Sequence, residues 1–233
     1  MTTDSYGTLY IVATPIGNLK DITFRAVETL SSVSMIAAED TRHSKKLFQH
    51  YNISTPSISF FEHNRTARIP QIVANLKKGN HVALISDAGT PGISDPAYKL
   101  IREAIAEDIT VESIPGPTAL ISGIVSSGLP TDRILFEGFL PPKKGRIKRL
   151  TNLIDQDATI VFYESPYRLI KTLKEILEVL GDRPAVITRE LTKMNEEIIR
   201  GTVLYLLTYF TSNKPRGEFV IIIGKNDANV FFK

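Results

Sequence analysis

The stretch Val82-Ala83-Leu84-Ile85-Ser86-Asp87-Ala88-Gly89-Thr90-Pro91-Gly92-Ile93-Ser94-Asp95-Pro96 decides how the chain is read. A short apolar run reads as a buried strand, and a segment of small, hydroxyl-bearing and turn-forming residues leads from it to a helical pattern near Ala97. A strand that feeds a helix through such a loop is the repeating unit of an α/β sheet, where ligands bind at the carboxyl ends of the strands. Gly89 and Gly92 let the backbone approach a ligand closely, Pro91 and Pro96 stiffen the turn, and Thr90 and Ser94 add hydroxyls without bulk. Neither GxGxxG nor GxxxxGK[ST] occurs, which removes the dinucleotide fingerprint and the Walker loop. The alternative is a plain strand-to-helix turn with an Asp cap.

The same pattern recurs along the chain. Strands are expected at Leu9 to Ala13, Met35 to Ala38, Val111 to Ile114, Ile134 to Phe136, Thr159 to Tyr163, Ala185 to Thr188 and Phe219 to Ile223, with helices between them. This alternation gives an α/β fold with largely parallel sheets. The clearest helix begins at an N-cap Ser165 with Pro166 in the first position and stops at Gly181, and Leu169, Ile170, Leu173, Ile176, Leu177 and Leu180 form its apolar stripe.

At 233 residues, with 42% hydrophobic and 23% charged residues, the chain is long enough for two packed lobes. Turn-forming residues at Pro115-Gly116-Pro117 and Gly128-Leu129-Pro130 bracket one small-residue helix, Ala119 to Ser127, which places the junction between domains 1–117 and 118–233. The absence of Cys excludes disulfides, thiolate metal sites and cysteine nucleophiles. His43, His50, His63 and His81 show no metal-ligand spacing, so no metal site is expected. The segment Met1 to Ser5 lacks a leader pattern and the longest apolar runs reach five residues, so a soluble cytoplasmic protein is expected, with no membrane partner.

Two further loops follow expected strands: Thr14-Pro15-Ile16-Gly17-Asn18-Leu19 and Pro115-Gly116-Pro117-Thr118-Ala119. Each could be a tight turn; together on one sheet edge they read as a pocket. Ala38-Glu39-Asp40-Thr41-Arg42-His43 brings two carboxylates and a guanidinium to the end of another strand, either as a base and a phosphate fork or as favourable charges at a helix start. Tyr163-Glu164-Ser165-Pro166 and Pro215-Arg216-Gly217-Glu218 place further acids with the same ambiguity. The net charge is only +3, but Lys143-Lys144-Gly145-Arg146-Ile147-Lys148-Arg149 concentrates five cations in seven residues. Following Pro141-Pro142, it reads as a stiff exposed arm able to neutralise several phosphates, or as a solvated face.

In order along the chain, Thr14-Pro15-Ile16-Gly17-Asn18-Leu19, Ala38-Glu39-Asp40-Thr41-Arg42, Ser86-Asp87-Ala88-Gly89-Thr90-Pro91, Glu137-Gly138-Phe139-Leu140-Pro141 and Phe162-Tyr163-Glu164-Ser165-Pro166 closely resemble the ribosomal RNA small subunit methyltransferase I family of the tetrapyrrole methylase superfamily. The resemblance runs from about Gly7 to Gly224. It implies two α/β lobes with S-adenosylmethionine in the cleft between them, a homodimer, and methylation of the ribose 2′-hydroxyl of a decoding-region cytidine in 16S rRNA or the small ribosomal subunit. Carried over by position, the methyl donor would lie against Pro15, Gly89, Thr90, Pro91, Ile93 and Ser94. Thr118, Ala119, Tyr163, Glu164, Leu191 and Gly217 would complete its contacts. Many relatives carry a small C-terminal extension, whereas this chain stops nine residues after Gly224, so an RNA contact made there is expected to be absent or replaced.

A ribose hydroxyl needs its proton drawn off during methyl transfer, so Asp40 or Glu39 is expected to act as base or hydroxyl orienter, with Asp87 as the alternative. Arg42, Lys143, Lys144, Arg146, Lys148 and Arg149 are the expected RNA contacts. Two other readings stay open: a methyltransferase acting on a small tetrapyrrole precursor, and an RNA-binding module without catalysis.

Overall fold

The computed structural model describes residues 6–95 and 97–232; the segment Met1 to Ser5 and Pro96, both used in the sequence reading, lie outside the described residues. The chain divides into two compact units, Met1–Thr118 and Ala119–Lys233.

The first unit is a parallel sheet of β1 (Leu9–Val12), β2 (Met35–Ala38), β3 (Ser57–Ser59), β4 (Val82–Ile85) and β5 (Val111–Ile114), in the order β3-β2-β4-β1-β5. Alternate strand residues face opposite ways, which sets up two cores. On one face Leu9, Ala37, Val82 and Leu84 pack against α3 (Arg65–Lys77) and α4 (Ala97–Ala106). On the other, Val12, Ile36, Ala83 and Ile85 pack against α1 (Phe24–Ser32) and α2 (Thr41–His50). A sheet buried on both sides needs continuous apolar strands, and β4 is buried at every residue. β3 was invisible in the sequence because two serines flank its one isoleucine. Pairing with β2 makes it a strand, and the Phe60 N–H continues the ladder by donating to the Ala38 carbonyl at 2.8 Å.

The second unit carries β6 (Ile134–Phe139), β7 (Thr159–Glu164), β8 (Pro184–Arg189), β9 (Glu197–Thr202) and β10 (Phe219–Ile223), in the order β6-β7-β10-β8-β9. Here β6 and β7 run parallel, but β10 lies antiparallel to β7 and β8, and β8 to β9, so the expectation of largely parallel sheets holds for the first unit and is corrected for the second. β9 escaped the sequence reading because its two isoleucines, set between Glu197 and Arg200-Gly201-Thr202, are too short an apolar run to mark an edge strand. The helices α6 (Arg146–Thr151), α7 (Leu169–Leu180) and α8 (Val203–Ser212) close one face over a core containing Phe162, Leu173, Phe210 and Ile221. Against the same sheet lies α5 (Ala119–Ser127), where a Cβ on Gly123 would meet Val220 Cγ1 at 3.4 Å.

α7 starts three residues later than its Ser-Pro signal implies. Arg168 and Leu169 both donate their N–H to the Ser165 carbonyl at 3.1 Å, so residues 166–168 form a turn, and Arg168 occupies the cap. Its end falls where expected, at Gly181 with φ +82°. Among the described residues no helix is long and apolar enough to cross a membrane.

Candidate active site

In the first unit, β1 and β2 lead to helices on one face while their shared neighbour β4 leads to a helix on the other. Neighbouring chains therefore diverge beyond the C-terminal ends of these strands, the arrangement that opens a ligand crevice in α/β sheets. The loops after β1 and β4 are joined there by reciprocal hydrogen bonds of 2.9 Å between the backbones of Thr14 and Gly89. The buried Thr14 hydroxyl donates to the Ser86 carbonyl at 3.2 Å. The loop after β5 joins them, because the Thr90 hydroxyl donates to the Pro117 carbonyl at 3.2 Å. All three loops thus meet, with half-buried Pro15 and Thr118 on them.

Gly89 has φ +82°, and a Cβ there would stand 3.4 Å from Ile16 Cγ2. Any other residue would be strained at this point. Ser94 holds φ +71° without being glycine, a costly conformation that the surrounding loop must enforce. Asp95 does part of that work: its Oδ2 accepts the Gly92 N–H at 2.7 Å and its Oδ1 the Ala97 N–H at 2.9 Å, and burial pushes its carboxyl above the ordinary Asp range. The sequence reading passed over Asp95 as a site residue, although an Asp just ahead of a helix is a capping signal.

The three candidate carboxylates stand together. Asp87 Oδ1 accepts the Asp40 N–H at 3.0 Å, and Glu39 Oε2 accepts the Asp87 N–H at 3.2 Å, which cross-links the loops after β2 and β4. Their environments differ. Burial, partly offset by the Asp87 N–H and reinforced by the charges of Asp87, Asp95 and Asp40, raises the Glu39 carboxyl above its usual value. Asp40 is instead the N-cap of α2, accepting the Arg42 N–H at 2.8 Å and clasped by Arg42 Nε and a terminal nitrogen at 3.1 and 2.8 Å. The Arg42 side chain holds it well below the carboxylate range. A carboxylate clasped in this way binds a proton weakly, whereas burial favours the protonated form of Glu39, so the two acids expected as base or hydroxyl orienter stand in opposite environments. Arg42 remains 90% exposed, but a phosphate must compete with Asp40 for its fork.

In the second unit, the Tyr163 hydroxyl accepts the Leu120 N–H at 3.0 Å in the first turn of α5, beside Ala119. Glu164 is corrected from ligand contact to structural anchor. It is 2% exposed, and its oxygens accept from the Ser165 N–H, from Arg168 at 2.8 and 3.0 Å and from the Thr172 hydroxyl at 2.6 Å. Leu191 is buried between Glu190 and Thr192, both in the left-handed region at φ +49° and +66°. Gly217, at φ +87°, is required by packing, because a Cβ would fall 2.5 Å from Glu190 Cγ.

The basic run is not a uniform arm. Arg146 is 3% exposed and pairs with Glu175 and, at 3.7 Å, with Glu164, so its assignment to RNA is corrected. Arg149 is half exposed but pairs with Glu137, which sits at the bulge of β6. Lys143, Lys144 and Lys148 stay exposed. If these three track single-stranded phosphates, changing all of them to Gln flattens the log-log salt dependence of RNA binding by up to about 2, at about 0.7 per contact, with the thermal midpoint unmoved. An unchanged slope in filter-binding titrations makes the run a solvated face.

A family model described as Tetrapyrrole (Corrin/Porphyrin) Methylases matches residues 8–206, which fixes the class of protein. A Synechocystis protein called ribosomal RNA small subunit methyltransferase I is 52% identical, covering 93% of this chain and 78% of its own. A Thermotoga maritima protein with the same name is 48% identical over 93% of this chain and 98% of its own. The chain belongs to the ribosomal RNA small subunit methyltransferase I family. The fold is shared with a cobalt precorrin-4 methyltransferase, at 19% identity and a TM-score of 0.70 over 93% of this chain and 94% of that one. A uroporphyrin-III-C-methyltransferase from Thermus thermophilus has it too, at 17% identity and a TM-score of 0.67 over 94% of both chains.

Proposed function

We propose that the protein transfers a methyl group from S-adenosylmethionine to the ribose 2′-hydroxyl of a decoding-region cytidine in 16S rRNA, free or within the small ribosomal subunit. The names of its relatives support an rRNA substrate. The observation that carries the donor assignment is the bridge of Thr14 to Gly89 between two small-residue loops at the divergence of β1 and β4. Backbone groups and the hydroxyls of Thr90 and Ser94, with Glu39 and Asp87 alongside, suit a ligand that carries a nucleoside, an amino acid and a positive charge.

The bound donor supplies an electrophilic methyl carbon on a sulfonium. The chain's part is to align the ribose oxygen behind that carbon and to take its proton. With the donor held there, Glu39 would accept the proton that the ribose hydroxyl gives up as its oxygen takes the methyl group. Asp87 positions Glu39 by donating its N–H to Oε2. The donor loops of the first unit are Pro15, Gly89, Thr90, Pro91, Ile93, Ser94 and Thr118.

Calorimetric titration with S-adenosylmethionine in the absence of RNA tests the donor assignment. Gly89→Val forces a β-branched side chain into a left-handed, closely packed position, and is expected to raise the dissociation constant at least about tenfold, about 1.4 kcal/mol. Unchanged affinity in a folded variant moves the donor elsewhere.

A further inference from the structure

The helix that starts at the candidate carboxylates carries one basic face along its whole length. Asp40 caps α2 while donating its N–H to Asp87 Oδ1 at 3.0 Å, and Asp87 donates its own to Glu39 Oε2 at 3.2 Å, so the first turn of α2 is fixed beside all three acids. Ser44, Leu47 and Phe48 are the buried side of the helix. At about 3.6 residues per turn the opposite side is Arg42, Lys46 and Gln49, flanked by Lys45 and His50, and all five are exposed. No acid occurs anywhere between Asp40 and Glu62. Arg42 shares the charge of Asp40, but among the described residues neither Lys45 nor Lys46 is paired with a carboxylate. The run from Lys143 to Arg149 differs, because Glu137, Glu164 and Glu175 take up both of its arginines.

A charged helix face is ordinarily only solvated. This one borders a groove of about 640 Å³, which lies between α2 and the segment leading into β3. Buried Phe48 and Ile53 form its floor, and Thr41, Lys45, Gln49, Asn52, Ser54 and Ser57 line its walls. The wall beyond the helix is held in place by its backbone and one hydroxyl. Asn52 supplies the left-handed turn at φ +55°, the Ile53 N–H donates to the Phe48 carbonyl at 2.9 Å, and the Thr55 hydroxyl donates to the Leu30 carbonyl at 2.6 Å. The Pro56 carbonyl then accepts the Ile36 N–H at 2.9 Å, which ties the wall to the sheet. The lining therefore offers a cation, hydroxyls and amides with no acid among them, and Thr41, two residues after Glu39, sets one end of the groove at the carboxylates.

Lysines, hydroxyls and side-chain amides are the groups that hold a nucleic-acid backbone by its phosphates and sugars. A groove formed before binding avoids the ordering cost that a mobile loop would add. We infer that single-stranded RNA next to the methylated nucleotide runs along the basic face of α2 and the groove beside it, with Lys45 and Lys46 on phosphates and Gln49, Asn52, Ser54 and Ser57 on the sugar-phosphate backbone. This rests on the RNA methyltransferase reading above and gives that substrate a path that ends at Glu39. Backbone contacts carry no base information, so the track supplies affinity and register while other contacts choose the nucleotide.

The test uses the intact protein with 16S rRNA and small ribosomal subunits from cells lacking it, and follows KM for RNA, the salt dependence of RNA binding, donor affinity and thermal midpoint. One variant joins Lys45→Gln to Lys46→Gln. Its control joins Lys78→Gln to Lys174→Gln, which removes the same charge from exposed lysines on other helix surfaces. A third, Ser54→Glu, puts an acid into the groove. The expected result for the α2 pair is a KM for RNA raised about tenfold at 0.1 M salt and a log-log salt slope flattened by up to about 1.4, at about 0.7 per phosphate, with donor affinity and thermal midpoint unchanged. Ser54→Glu raises KM by at least about fivefold, and the control pair stays near wild type. The track is overturned if the α2 pair keeps the wild-type KM and slope while the wild type is active, if the control pair weakens RNA binding equally, or if Ser54→Glu leaves KM unchanged. It is also overturned if the α2 pair lowers the thermal midpoint and donor affinity together, which makes these lysines structural. A wild-type protein that binds the donor but methylates neither RNA refutes the parent reading, and the track with it.

Discussion

Glu39→Gln is expected to lower the single-turnover rate of methyl transfer by about 100-fold or more while leaving donor affinity within about twofold. The substitution keeps size and removes the proton acceptor. Burial raises the Glu39 carboxyl above its ordinary value of 4.5, the direction that improves a base at neutral pH. Its sign sets the pH profile. Below the raised pKa the carboxyl is protonated and cannot accept, so the wild-type rate falls on acidification with a midpoint above 4.5, and this limb disappears in Glu39→Gln. Asp40→Asn makes the contrast, because Asn also caps helices and Asp40 is already committed to α2 and Arg42. Its rate should stay within about threefold of wild type, since only a positioning contact is changed. A near-native rate for Glu39→Gln instead makes Asp87 the base.

Arg146→Met is expected to destabilise the second unit by about 3 kcal/mol, lowering the thermal midpoint by roughly 10 °C. Arg146 is buried among Glu175, Glu164, Thr172 and the Pro141 carbonyl, and removing it leaves two largely buried carboxylates without their shared counterion. A cation that merely faced RNA would give the opposite pattern, with stability unchanged and RNA binding weakened. Unchanged calorimetric unfolding in Arg146→Met contradicts the anchor assignment.

What the sequence could and could not convey follows from the range of the interactions involved. β2, β4 and β10 were legible residue for residue because each is a continuous apolar run ended by polar or turn-forming residues, and β5, Val-Glu-Ser-Ile, because Pro115-Gly116-Pro117 ends it. Strand direction is not encoded locally, so the antiparallel partners of β10 could not be foreseen. β3 and β9 exist through their neighbours. The fate of a charged side chain is likewise tertiary: nothing in Lys143 to Arg149 distinguishes Arg146, and only the arrival of α7 with Thr172 and Glu175 buries it. The meeting of the three small-residue loops was legible, since each follows a strand of the same sheet. The ranking of Glu39 over Asp40 was not. Both are acids at a strand end, and they separate only once α2 captures one and the β4 loop buries the other.

The central claim is tested most directly by incubating the wild-type protein with methyl-labelled S-adenosylmethionine and 16S rRNA or small subunits from cells lacking it, then digesting the RNA to nucleosides. The account predicts label in 2′-O-methylcytidine alone, mapped to one site in the decoding region. Label on a base, label spread over many nucleotides, or no transfer from a donor that the protein demonstrably binds would contradict it.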